Sequence, residues 1–444
     1  MSSAVSEPIA DLAPAARQAI ERAHAKLDAE GLADLVFEMT AVPSPTGEEL
    51  ALAQTVVRHL TAAGVEAEVQ ALDGAQANAV GRLRGTGDGP SLLIYAPLDT
   101  AFSGGRDEDR PWLGGEPRAD FAVPPRREGS RIVGLGAENP KGFAAAGIAA
   151  LEAVAASGAA LRGDVVLLLA SGSMPIARRP GIDRPVVGHG SGVTAYLDRA
   201  PRPDFAIVLK PGYAAAHEEV GLAWYRLTVR GAVNYTGIRH KGPYRNPILA
   251  ASRLVGGLES WFAEYSARHT DGLVAPQGSI NAIRAGGPDR AAFIPATCEI
   301  DFDVRLGPRT SPEDLDAEVR AAVDALRAGE PDFTVDLERI VVLPGTSTPP
   351  ESWIVRSIVR AWEAHEGRDH APLARSSGAS DAAIIRSRGI ETARIGLPPP
   401  PEPNPYPGFS MGVVDVASVR GLAELLTDVI VDTASRSRRE VGLS

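Results

Sequence analysis

The sequence is short of several things, and each shortage removes a class of explanation. Its single cysteine, Cys298, excludes an intrachain disulfide, an iron–sulfur cluster and any zinc site built from thiolates. No apolar run reaches the roughly 20 residues that span a bilayer, so no membrane partner is expected. Residues Met1 to Leu12 lack the basic start and apolar run of a secretion signal, and the expected location is cytoplasmic. Lysine is scarce: Lys26, Lys141, Lys210 and Lys241 are the four present, and all other Lys-or-Arg positions are arginine. Where arginine is the default cation, each lysine asks for a reason. Positive charge is in deficit, with 45 Lys plus Arg against 56 Asp plus Glu and a formal net charge of −11. An acidic chain without basic clusters is a poor nucleic-acid binder.

What remains is a globular composition, 44% hydrophobic and 23% charged, which excludes disordered and collagen-like chains. The 444 residues are too many for one ordinary domain and suit two or three, or one large unit with an insertion. Helical spacing covers Pro14 to Ala29 and Leu32 to Met39. After the turn Pro43-Ser44-Pro45-Thr46-Gly47, Thr46 is expected to cap a helix, with Glu48 and Glu49 in its first turn. Strands are expected over Glu66 to Ala71 and Ala79 to Leu83. Short apolar runs at Ser91 to Tyr95, Val165 to Leu169 and Phe205 to Leu209 read as buried strands. Helices from Lys141 to Ala156 and Ser191 to Leu197 separate the last three. That alternation predicts an α/β fold with a mainly parallel sheet covered by helices on both faces.

The pattern then changes to strand 224–230, helix 246–265, strands 279–284 and 299–306, helix 312–327 with Ser311 as N-cap, and strand 333–342. This βαββαβ order predicts a ferredoxin-like domain inserted into the larger one. The α/β pattern returns with helix 352–366, strand 392–395 and helix 416–431, across a Pro-rich loop, Pro398 to Pro407. The expected division is residues 1–220 with 341–444, interrupted by 221–340.

Several segments occur in an order that resembles the M20-type amidohydrolases and peptidases, a family that includes carboxypeptidase G2-like, acetylornithine deacetylase-like and succinyl-diaminopimelate desuccinylase-like enzymes. They are Leu35 to Glu49, Leu92 to Thr100, Gly134 to Gly142, Val165 to Pro175, Ala206 to Pro211, Gly221 to Gly237, Ile294 to Leu306, Gly378 to Ala382 and Val413 to Val416. The resemblance implies an α/β catalytic-type domain, an inserted lid that makes a homodimer, and a small amide or peptide-like, amino-acid-derived substrate. It also implies two zinc ions held by five side chains, beside a glutamate base.

At those positions this chain carries other residues. The His-x-Asp motif reads Pro97-Leu98-Asp99, the bridging aspartate falls at Asn139, and the Glu-Glu pair at Ser173-Met174. The acidic ligand before a proline falls at Lys210, the last histidine near Pro407, and the lid histidine at Tyr235. Zinc needs several His, Cys or carboxylate donors, and a lysine at a ligand position puts an ammonium where a dication belongs. No metal or other cofactor is therefore expected. His24, His59, His269, His365 and His370 read as surface residues on helices. The triplet His217-Glu218-Glu219 reads as either a solvated turn or a ligand cluster.

The expected catalytic set is Asp99, Lys210 and Ser173. Asp99 and Lys210 would pair, or merely neutralise a relic cavity. Ser173 could act as a nucleophile if a neutral Lys210 took its proton. Substrate-binding candidates are Lys141, Asn139, Tyr235, Arg305 and Gly378. Arg305 suits a carboxylate but equally suits an exposed strand, while Lys141 could simply begin a helix. Asn281 and Lys241 lie in segments that could face a cleft. The long loop from Met174 to Gly190, with Arg178, Arg179, Arg184 and His189, suggests a changed ligand. Three readings follow: a metal-independent hydrolase-like enzyme, a non-catalytic binding or scaffold relative, and a zinc enzyme with relocated ligands.

Overall fold

The computed structural model describes residues 12–104, 107–114, 118–176, 188–406 and 411–444. They divide into two compact units. The first runs to His217 and resumes over Thr348–Leu373 and Ile384–Ser444; the second is Glu218–Ser347 with Ala374–Ala383.

The first unit opens with helices α1 (Pro14–His24), α2 (Ala29–Ala41) and α3 (Leu50–Ala62). The helical run expected to continue to Ala29 breaks after His24, because Asp28 caps a new helix by accepting from the Gly31 amide at 2.7 Å. Strands β1 (Glu66–Ala71), β2 (Ala77–Leu83) and β3 (Leu92–Pro97) follow. Helix α4 (Phe143–Ser157) then leads to β4 (Val165–Ala170), and α5 (Ser191–Leu197) to β5 (Phe205–Leu209).

In the second unit the order is β6 (Gly221–Arg230), α6 (Pro247–His269), β7 (Gly278–Arg284), β8 (Thr297–Leu306), α7 (Pro312–Arg327) and β9 (Thr334–Leu343). Its sheet runs β7-β8-β6-β9, antiparallel throughout, which is the ferredoxin-like arrangement. Alternation on β8 buries Cys298, Ile300, Phe302, Val304 and Leu306, which share a core with Leu254, Leu258 and Phe262 of α6 and Leu315 and Val319 of α7. Asn246 and Ser311 cap the two helices through the amides of Ile248 and Asp314, each at 3.0 Å; the expected start of α6 was thus its cap.

Returning to the first unit, the chain supplies α8 (Trp353–Glu366), β10 (Glu391–Ile395) and α9 (Val416–Ala434). The completed sheet is ordered β1-β2-β4-β3-β5-β10, with β4, β3, β5 and β10 parallel and β1 and β2 antiparallel. From β3 the chain crosses one way to β4 and then back past β3 to β5. Right-handed crossovers in opposite directions put α4 and α5 on opposite faces. Helix α4 is apolar nearly all round, as a helix enclosed on every side should be. It packs against α1 and α9, and small residues bring it close: a Cβ on Gly147 would lie 3.0 Å from Leu167.

Candidate functional site

The reversal of strand order leaves a crevice at the carboxyl ends of β3, β4 and β5, where open α/β sheets place their ligands. Asp99, two residues beyond β3, is completely buried. Its Oδ1 accepts from the Ser173 amide at 3.0 Å. Its Oδ2 accepts from the Met174 amide at 2.8 Å and from the Thr46 hydroxyl at 2.9 Å. Thr46 therefore does not cap α3 as expected, because its hydroxyl is turned to Asp99.

Glu49 stands at the N-cap position of α3, yet its side chain is not a cap either. It points inward, and Oε1 accepts from the amides of Gly47 at 2.7 Å and Gly172 at 3.0 Å. Its Oε2 is buried with no hydrogen-bond partner among the described residues. Two carboxyl groups thus grip consecutive amides of one loop, residues 172–174. Burial, and then the charge of Asp99, push Glu49 up to about 8. Burial also raises Asp99, opposed by the Met174 amide and the charge of Lys210. A like-charged buried pair divides its protons by its partners. Asp99 accepts from three donors and Glu49 from two, so Asp99 carries the negative charge and Glu49 keeps the proton.

The loop itself is tightly built. Gly172 has φ +62°, and a Cβ there would lie 2.1 Å from Ser191 Oγ and 2.6 Å from Gln76 Nε2. The amide and hydroxyl of Ser171 donate to Asn78 Oδ1 at 3.0 and 3.2 Å. Ser173 is nearly buried, and no hydrogen bond of its hydroxyl is seen among the described residues. Lys210, also nearly buried, directly follows β5, where its amide donates to Ile395 O at 3.2 Å. The three residues expected to be catalytic therefore stand at three adjacent strand ends.

The other candidates divide. Asn139 has a buried Oδ1 without a partner among the described residues, while its Nδ2 faces Met411 Sδ at 3.5 Å. Lys141 is buried, with Nζ donating to Val42 O at 2.8 Å just past the end of α2. Burial alone lowers it to about 7. That ammonium is committed to a helix end, so the substrate-binding reading of Lys141 gives way to a positioning one. Glu138, which the sequence did not suggest, is pushed up to about 7 by burial.

Tyr235, Arg305 and Gly378 belong to the second unit. Tyr235 is exposed beside the ring of Phe293, 5.6 Å away, and Gly378 is exposed. Arg305 faces Asp303 of its own strand through both Nε and Nη2 at 3.0 Å, and Trp224 Nε1 donates to the same carboxylate at 2.8 Å. Its guanidinium is thus already occupied by a carboxylate. Asn281 sits in a bulge between Ile280 and Ala282. Glu218 and Glu219 are not a solvated turn: both are buried, bonded to Arg309 at 3.0 Å and Ser380 at 2.6 Å. Pro407 and the arginines at 178, 179 and 184 lie outside the described residues.

The side chains present do not fit a zinc pair. The described positions where the resemblance puts ligands hold Pro97, Asn139, Ser173, Met174 and Lys210, and the oxygens of Asp99 are taken by three donors. Among the described residues no group of three His, Cys, Asp or Glu donors surrounds Asp99; the one such group is His24, His365 and Asp428. The first and second of these were read as surface histidines. Both in fact lie 2.8 Å from the oxygens of a buried carboxylate.

Comparison with known proteins gives a consistent answer. The peptidase dimerisation domain of the M20 group matches residues 217–330. Succinyl-diaminopimelate desuccinylase of Stenotrophomonas maltophilia is 26% identical over 385 residues, 82% of this chain and 90% of that protein. The enzyme of the same name from Leptothrix cholodnii is 28% identical over 302 residues, 65% of this chain and 72% of that one. In fold, human carnosine dipeptidase 1 superposes with a TM-score of 0.70 at 14% identity, over 94% of this chain and 99% of that one. The aminopeptidase PepT of Bacillus cereus gives 0.63 at 18% identity, over 92% and 99%. The matched dimerisation domain and the desuccinylase likeness support a relationship of this chain to the M20-type amidohydrolases and peptidases, and the solved structures share its fold.

Proposed function

We propose that this chain is a hydrolase of amide or peptide-like bonds in small amino-acid-derived substrates, and that its site works without a bound metal pair. The observation that carries the reading is the convergence of Asp99, Ser173 and Lys210 at three adjacent strand ends, with Lys210 acting electrostatically on Asp99. The Ser173 hydroxyl, free of other bonds among the described residues, is the nucleophile. It attacks the amide carbonyl while neutral Lys210 takes its proton and passes it to the leaving nitrogen. Water then cleaves the resulting ester. Glu49, by keeping its own proton, leaves one carboxylate rather than two to hold Lys210 charged. Asp99 fixes the amides of Ser173 and Met174, and so orients the nucleophile.

The test is hydrolysis of N-acyl amino acids and dipeptides by chelator-treated protein whose circular dichroism is unchanged. Activity should persist, and Lys210→Ala should lower kcat by roughly 10²–10⁴-fold. Loss of activity from the folded protein, restored by zinc, would overturn the proposal. A second reading, a non-catalytic relative that binds such molecules, is favoured by the saturation of the Asp99 oxygens. It predicts ligand binding without turnover, lost in Lys210→Ala. The homodimer expected through the second unit is supported by the matched dimerisation domain and by exposed apolar side chains there, Val233, Tyr235, Ile238 and Phe293.

A further inference from the structure

Away from the strand ends, helices α1, α8 and α9 of the first unit converge on one buried carboxylate. His24 Nε2 of α1 lies 2.8 Å from Asp428 Oδ1, and His365 Nε2 of α8 lies 2.8 Å from Asp428 Oδ2. The three ligand atoms are all within 4.8 Å of one another. Asp428 is 4% exposed, while the histidines, at 29% and 19%, remain open to solvent on one side. From this geometry we infer a zinc-binding site formed by His24, His365 and Asp428.

Two imidazole nitrogens and one carboxylate oxygen, with an open fourth position, form a donor set that zinc takes. Donors about 2.0–2.2 Å from a tetrahedral ion stand roughly 3.2–3.5 Å apart, so the two 2.8 Å contacts would open by about half an ångström while the separation between the histidine nitrogens adjusts to the same span. A second observation points to a ligand. Asp428 Oδ1 is buried and lacks an aligned hydrogen-bond donor, despite its short contact with His24. His24 Nε2 is instead divided between that oxygen and the carbonyl of Glu424, 3.2 Å away. A cation between the nitrogen and the oxygen would satisfy both. None of the three donors takes part in the chemistry assigned to Asp99, Ser173 and Lys210.

The alternative is a hydrogen-bonded His–Asp–His clamp that never holds a metal. Chelator-stripped full-length protein should be titrated with Zn²⁺ against a chromophoric competitor, and with Co²⁺ while visible absorption is recorded. One equivalent should bind, and zinc should raise Tm by several degrees. His24→Gln and His365→Gln retain a donor for Asp428 and should fold, yet each should weaken zinc binding by at least the roughly 100-fold known for loss of supporting groups. Absence of stoichiometric binding would overturn the inference. So would binding that is unchanged in both Gln variants, or a Tm that zinc leaves where it was.

Discussion

Glu49 and Asp99 cannot both be charged in one buried space, and Glu49 gives way. Folded Glu49 holds its proton to about 8, against 4.5 for an ordinary glutamate. The folded chain therefore binds more protons than the unfolded one over that window, and stability should fall as pH rises from about 4.5 to about 8. At about 1.4 kcal/mol per pKa unit, the contribution is roughly 3–5 kcal/mol. Glu49→Gln should remove it, so urea unfolding at pH 5 and pH 8 should differ less in the variant than in the parent. An unchanged slope would mean that Glu49 is already ionised. Lys141 acts in the other direction. Lowered to about 7 from 10.5, it makes the folded chain bind fewer protons, so stability should rise between those values. Lys141→Met should flatten that rise. The positions of Asp99, Ser173 and Lys210 at strand ends were legible in the sequence because each follows a recognisable buried strand. Glu49 was not, since an acid in a first helical turn already has a reason to be there. Its burial depends on Gly172, far along the chain. His24 and His365 were hidden in the same way: nothing local to either announces Asp428.

At the scale of elements, strand and helix identities followed from periodicity, and departures came at the ends, where a side chain chose a distant partner over a cap. Thr46 bonded Asp99 instead of α3, whereas Asn246 and Ser311, with no such competitor, cap α6 and α7. Asn246→Ala and Ser311→Ala should each cost about 1 kcal/mol, measurable by denaturant titration. A loss below a few tenths of a kcal/mol would show that solvent replaces the cap. The loop after β4 is less forgiving. Gly172→Ala meets both a positive φ and the side chains of Ser191 and Gln76, which are hydrogen-bonded to each other, and should destabilise by about 2–3 kcal/mol. Because the loop amides orient Ser173, that change should also depress kcat more than KM.

The described residues form two separate hydrophobic cores, one drawing on all three stretches of the first unit and one confined to the second. Calorimetry should resolve two transitions. Ile94→Ala, in the first core, should lower one of them, and Phe302→Ala, in the second, the other, each by roughly 2–5 kcal/mol. If both substitutions shift the same transition, the cores unfold as one. Domain order was legible because the change from parallel to βαββαβ patterning is abrupt; the buried polar interior of the crevice was not, because amide grips leave no trace in periodicity. The discontinuity of the first unit also sets an order of events during synthesis. Strand β5 must wait for β10 to cover its edge, and α4 must wait for α9, while the strands of the second unit are all contiguous. At about 5–20 residues per second, the ribosome takes roughly 10–40 s to make residues 218–434. Throughout that interval the earlier half of the first unit presents an open strand edge and an uncovered apolar helix. The nascent chain is therefore most exposed to misassociation before its last helix emerges, with its middle already folded.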